Sequence, residues 1–181
     1  MLHERRCIAV NNSYRIAPWS EVVWFGDVKW FWWHEEELLA TNMQIATCNE
    51  HGAIRKHMGK LPQLTFYQRD HARPHGITTK QNYVSWNASS GASAINLAYH
   101  MGAKEIVLLG FDMRMVEGQK NWHNDHKEML HKPFQRHLKP FPAIYHDAKE
   151  LNLKIYNATP DSAITVFPMM EDLQGALLNG F

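Results

Sequence analysis

The sequence is short of the features that commit a chain early. Two cysteines, Cys7 and Cys48, in 181 residues are too few for a disulfide framework, so a reducing, cytoplasmic setting is the expectation. No apolar run approaches the roughly 20 residues that span a bilayer, and no apolar run follows Met-Leu-His-Glu-Arg-Arg to make a signal peptide. An excess of one charge is also lacking: 19 Lys and Arg stand against 18 Asp and Glu, a net +1. A field strong enough to gather nucleic acid or an anionic membrane is thereby excluded. Internal repeats and low-complexity segments are absent. What remains is 45% hydrophobic and 20% charged, an ordinary globular composition that suffices for one domain and is short for two. In excess are 12 histidines and 7 tryptophans; Trp24, Trp30, Trp32 and Trp33 cluster in one stretch.

One stretch organises the rest. From Asn87 to Arg114 the chain reads as a helix entrance, a helix and a strand. Ser89, Ser90 and Gly91 are small residues suited to the entrance. Ala92, Ile95, Leu97, Ala98 and Met101 supply a broad apolar face, and Gly102 supplies the stop. Glu105 to Gly110 then has the branched apolar content of a strand buried on both faces, with Asp112 just past its end. Helix N-termini offer free N–H groups to anions, and ligands of open α/β sheets sit beyond the carboxyl ends of strands. Two readings follow: a capped helix with a strand-end turn, or a phosphate cradle at Ser89-Ser90-Gly91 facing Asp112.

The remaining elements share this rhythm. Arg6–Val10 predicts a strand delivering Asn11, Asn12 and Ser13 at its end, and Glu21–Gly26 a second strand delivering Asp27. A helix is expected over Trp30–Ala40, with Trp30, Trp33, His34 and Glu37 on one side as core or dimer contacts. Met43–Thr47 and Leu64–Tyr67 predict further strands. Cys48-x-x-His51 with His57 has metal-like spacing but no second pair, which leaves zinc weakly supported. Gln68–Trp86 is polar and aperiodic, as expected of a lid or surface excursion. Trp122-His123-Asn124-Asp125-His126 sets a carboxylate beside histidines. That pattern suits a general base whose tautomer an acid fixes, and equally a surface loop. Phe134–Leu151 has helical spacing that Pro140 and Pro142 must bend or split. Leu153–Asn157 predicts a last strand with Thr159 and Ser162 at its tip, and Glu171–Leu178 a terminal helix. Strand-like runs separated by helical ones predict a single α/β domain over 1–181, three-layered, with a mostly parallel sheet holding Arg6–Val10, Val22–Phe25, Ile106–Leu109 and Lys154–Tyr156.

Four segments in order carry a resemblance: Ile8-to-Tyr14, Ser89-Ser90-Gly91 with Lys104-to-Asp112, Trp122-to-His126, and Ile155-to-Ser162. Together they resemble the small bacterial sialyltransferases that use CMP-sialic acid. They also resemble the related superfamily of archaeal hydroxymethylpterin pyrophosphokinase-like proteins and many phage proteins, the last being the nearest likeness. The resemblance implies a Rossmann-like nucleotide-binding domain. It implies that Asn11 and Ser90-Gly91 contact the CMP portion of a donor, and that a histidine among His123–His126 is the base that deprotonates the acceptor. It also implies departures. The family's upstream strand and Gly-x-Gly-Pro-Ser turn have no counterpart before Arg6. The phosphate-holding tyrosines have none either, since Tyr99 falls inside the helix.

The site expected on these grounds comprises His123, Asp125 and His126 as catalytic residues. Asn11, Asn12, Ser13, Asp27, Ser89, Ser90, Gly91, Asp112, Thr159 and Ser162 are expected to bind substrate. The function implied is glycosyl transfer from a nucleotide sugar with a CMP-like donor. Two alternatives stay open. One is a pyrophosphokinase-like transfer in which Asp27 and Asp112 hold Mg²⁺; the other is a degenerate nucleotide-binding module. The expected partner is a nucleotide or nucleotide sugar, with no nucleic acid and no membrane, and a homo-oligomer is open.

Overall fold

Short branched-apolar runs become strands here, and the run Val22–Phe25 is covered on both faces, whereas Glu105–Leu108, expected to be so covered, is fully buried only at Leu108. The computed structural model describes residues 2–49, 54, 63–116, 118 and 133–178. Strands β1 (Ile8–Val10), β2 (Val22–Phe25), β3 (Gln44–Thr47) and β4 (Leu64–Phe66) form one parallel sheet in that order. All four residues of β2 are buried, and the side-chain alternation along β2 and β3 divides them between two cores. Val23, Phe25 and Ile45 face one core, and Val22, Trp24 and Ala46 face the other.

The first face is closed by α1 (Val28–Leu39), which starts where Asp27 accepts a hydrogen bond from the Lys29 amide at 2.9 Å. Its inward residues are Trp30, Phe31, His34 and Leu38, the i, i+4, i+8 row of a 3.6-residue repeat. Phe31 stacks on Phe25 with ring centroids 5.1 Å apart. Trp33, expected on that side, is 50% exposed, because it falls on the flank of the row.

The opposite face is covered by α2 (Ser90–His100). Ala94 and Leu97 pack with Val22, Trp24 and Ala46. Ala92 and Ile95 belong instead to a separate core with Leu108, Phe141, Ile144 and Ile155. That core is built on β7 (Glu105–Leu108) and β8 (Lys154–Asn157), a parallel pair in the register Ile106 to Ile155. Two short helices follow the proline signals: α3 (Pro133–Leu138), then α4 (Phe141–Glu150) with Pro142 in its first turn, where a missing N–H costs nothing. Helix α5 (Leu173–Leu178) ends the described chain.

The architecture is therefore mixed α/β with a four-stranded parallel sheet and a helix on each face. The single sheet expected to unite β1 and β2 with β7 and β8 is not formed by the described hydrogen bonds: β7 and β8 pair with one another, and β8 adds only an isolated bridge from Asn157 to Met169. Apolar runs specify burial, not pairing partner, and what joins the two strand groups here is α2. No helix among the described residues is long and apolar enough to cross a membrane.

The polar stretch Gln68–Trp86 also departs from expectation. It forms a small parallel pair, β5 (Gln68–Arg69) with β6 (Tyr83–Val84), and buried side chains pin the loop between them. Asn96 of α2 accepts from the amides of Thr78 and Ser85 at 3.0 and 2.8 Å and donates to the Thr78 carbonyl at 3.0 Å. Asn87 both accepts from and donates to the backbone of Gly76. Asp147 accepts from the Ile77 amide at 2.7 Å and from the Arg73 guanidinium at 2.5 Å. Polarity in this stretch marks internal satisfaction rather than a free lid.

Asn96→Ala should accordingly leave two buried backbone amides unsatisfied and lower the unfolding free energy by about 2–4 kcal/mol. Urea denaturation measures it, and a loss below about 0.5 kcal/mol, the range of an ordinary surface substitution, would show that the loop does not depend on Asn96.

Candidate functional site

The polarity of α2 against the strands fixes which end of the fold carries the candidate residues. Arg6, just before β1, donates to the Met101 carbonyl at 2.8 Å, so α2 ends beside the amino end of β1. Trp24, in the second half of β2, donates from Nε1 to Ser93 Oγ at 2.9 Å, so α2 begins beside the carboxyl ends. The other strand pair meets the same helix end. A Cβ on Gly91 would lie 3.0 Å from the Phe111 ring, and Phe111, following β7, donates its amide to Thr159 Oγ1 beyond β8 at 2.9 Å. Asn11, Asn12, Ser13, Asp27, Ser89, Ser90, Gly91, Asp112, Thr159 and Ser162 thus all lie at the carboxyl end of their strands or at the entrance of α2.

Their side chains divide into two kinds. Several are engaged inside the protein. Asn12, 1% exposed, accepts from Trp30 Nε1 at 2.5 Å. Ser89 caps α2 through the Ala92 amide at 3.5 Å, and Asp27 caps α1. Ser162 donates to the Phe111 carbonyl at 2.5 Å and accepts from the Ile164 amide at 3.1 Å. Thr159 and Ser162 together therefore shape the turn after β7. Others stay open. The Asn11 Oδ1 is buried with no partner among the described residues, on a backbone at φ 49°. Among those residues nothing hydrogen-bonds the Asp112 carboxylate either.

The entrance to α2 is strained. Asn87 and Ala88 have φ of 58° and 51°. Asn tolerates that region and Ala does so at a cost of about 1 kcal/mol. The Asn87 side chain holds the pair in place through Gly76 and through the Ser85 carbonyl at 3.1 Å. The result aims the first amides of α2, those of Ser90 and Gly91, outward, where a helix has no acceptor of its own. These amides, with the orphaned Asn11 oxygen and the Asp112 carboxylate, can chemically meet an anion and a group of hydroxyls or amides.

The turn that presents Asn11 to Ser13 is anchored to α1. Tyr14 Oη lies 3.0 Å from His34 Nδ1, His34 stacks on Trp30 at 4.6 Å, and Arg15 grips Glu37 through Nε at 3.0 Å and a terminal nitrogen at 2.6 Å. The Arg15 hydrogen bond is the main reason that the Glu37 carboxyl falls from 4.5 to about 2, and burial pushes the Tyr14 phenol well up.

Three residues at this end, Trp86, Arg69 and Asn49, carry no motif and escape a reading of the sequence. The Trp86 ring packs on Gly26 and leaves no room for a Cβ there. The Arg69 guanidinium lies 4.6 Å over the Trp86 ring, and its Nε donates to the Cys48 carbonyl at 2.9 Å. Asn49 Nδ2 donates to the Gly26 carbonyl at 2.7 Å. The only sequence signal was Gly26 directly after a strand; its partners are remote in the chain. Tyr99 packs against the core of β7 and β8, toward the far end of α2.

His123, Asp125 and His126 lie outside the described residues, as do His51 and His57 of the zinc-like spacing. Among the described residues no cluster of three His, Cys, Asp or Glu could hold a metal ion. A cavity of about 240 Å³ against α4 and β8, lined by Tyr145, Leu153, Tyr156 and Phe167 among others, contains none of the expected site residues. No family model matches the chain, and no curated protein or solved structure does either.

The Arg15–Glu37 pair generates a pH dependence with a definite sign. A carboxyl whose folded value is depressed contributes stability that is complete above its unfolded value and lost as pH falls through its folded one. Acid melting curves should therefore show Glu37→Gln less stable than the parent above pH 4.5, and the two converging as pH falls toward about 2. A difference that stays constant over that window would mean that the pair does not titrate with folding.

Proposed function

We propose that the protein is a nucleotide-dependent transferase of Rossmann-like type that moves a glycosyl group from a CMP-sugar-like donor. In this reading Asn11 and the Ser90-Gly91 entrance hold the nucleotide. Asp112 orients a hydroxyl across the crevice, and His123 or His126, aligned by Asp125, is the base that deprotonates the acceptor. The observation that carries the reading is the orphaned Asn11 oxygen at the same strand end as the outward amides of α2 and the unpaired Asp112 carboxylate. A buried acceptor without a partner costs about 1–3 kcal/mol, and a ligand donor such as a base amine or ribose hydroxyl would remove that cost. The ordered likeness of four segments to the sialyltransferases supports the same assignment. The unpaired carboxylate also suits the second reading, in which Mg²⁺ assists a pyrophosphokinase-like transfer.

A thermal-shift series with CMP, other nucleotides and nucleotide sugars, with and without Mg²⁺, tests the proposal. A ligand at a hundred times its Kd stabilises by about 2.7 kcal/mol, a clear rise in Tm. CMP should give that rise without Mg²⁺, and Asn11→Ala should reduce it. A rise only with Mg²⁺ and a nucleoside triphosphate would favour the pyrophosphokinase reading, and no rise with any nucleotide would overturn both. In a turnover assay, Ala at the true base should slow transfer by about 10²–10⁴-fold while leaving donor affinity unchanged.

A further inference from the structure

We infer that Arg69 is an anion-recognition residue, presenting a fixed guanidinium fork to a phosphoryl group of the ligand at the carboxyl end of the sheet. The inference rests on the reading above in taking that ligand to be a nucleotide; the fork itself is argued from Arg69 and its neighbours.

Arg69 belongs to β5, where the chain has just left β4 alongside β3, and two contacts hold its head. The Nε–H donates to the Cys48 carbonyl at 2.9 Å, and the guanidinium carbon lies 4.6 Å over the Trp86 ring. Trp86 is itself fixed, with its ring against Gly26 and its carbonyl accepting from the Ser89 amide at 3.4 Å. One of the five guanidinium N–H groups and one face of the plane are thus occupied. The two terminal nitrogens, with four N–H donors, have no partner among the described residues.

Among the described residues no carboxylate compensates this charge either. Arg6, Arg15, Arg73 and Arg114 each face a carboxylate, respectively Glu21, Glu37, Asp147 and Asp161. Arg69 faces none among the described residues. Its neighbour Asp70 is engaged by Thr78 Oγ1 at 2.7 Å and by the Ala72 amide at 3.2 Å. A permanently protonated group that is stacked, oriented and faces no carboxylate among the described residues is suited to bidentate phosphate recognition. A solvent-exposed arginine with no task would not need both an aromatic platform and a backbone anchor. The platform sits three residues before the Ser89 cap, so the fork and the outward amides of α2 belong to one end of the fold.

The test titrates the whole chain with inorganic phosphate, cytidine and CMP in parallel at constant ionic strength. The readouts are the Arg69 side-chain Nε–H and Trp86 indole N–H resonances. Phosphate and CMP should move both saturably, and cytidine should leave the Arg69 signal in place. Arg69→Lys keeps the charge but loses the planar fork. It should weaken CMP about tenfold or more, the scale of one charge-assisted bond, with cytidine affinity unchanged. CMP bound equally well by Arg69→Lys, or an Arg69 signal unmoved by phosphate and CMP, would overturn the inference. If neither cytidine nor CMP binds the parent while phosphate moves Arg69 saturably, the nucleotide reading fails and the anion site stands. Should Arg69→Lys not fold, the Arg69 resonance of the parent decides alone.

Discussion

Everything at the candidate end depends on one helix being packed along two sides. Ala94 and Leu97 of α2 close the four-stranded sheet, while Ala92 and Ile95 close the core of β7 and β8. The polar members of the same helix are not exceptions to burial. Ser93 accepts from Trp24, and Asn96 satisfies the backbone of Thr78 and Ser85. A buried polar group is tolerated only when it is hydrogen-bonded, and here those bonds also set the position of the neighbouring loop.

The consequence is a chain of fixed geometry from core to surface. Asn96 and Asp147 hold the segment between β5 and β6, Asn87 holds the left-handed turn before α2, and that turn aims the first helix amides outward. On the other side, Thr159 and Ser162 fix the turn that carries Phe111 against Gly91 and leaves Asp112 open. The Tyr14–His34 and Arg15–Glu37 contacts do the same for the turn after β1. Candidate ligand groups thus stand on turns whose backbones are pinned by buried hydrogen bonds, which is how a site can be open yet preorganised.

Much of the secondary structure was legible in the sequence, because period and punctuation are local signals. The runs at Val22–Phe25 and Lys154–Asn157, the helix closed by Gly102 at φ 88°, and the split at Pro140 and Pro142 were all readable. Pairing was not, since Glu105–Leu108 has the same apolar character whether it joins a large sheet or a pair. The polar segment after Arg69 misled for a related reason: Asn87, Asn96 and Asp147 act across 11 to 74 residues, and no local pattern announces such bonds. Of the expected ligand residues, strand-end position was readable for Asn11 and Asp112. The inward commitment of Asn12 to Trp30 was not, and neither was the stacking of Arg69 on Trp86.

The most direct measurement is the pattern of amide hydrogen-exchange protection, with and without saturating CMP. The account predicts new protection confined to Asn11–Ser13, the stretch from Trp86 to Gly91, and Phe111–Asp112, all at the carboxyl end of the strands. Protection concentrated instead around Tyr145, Tyr156 and Phe167, or at the amino ends near Arg6 and Met101, would contradict it.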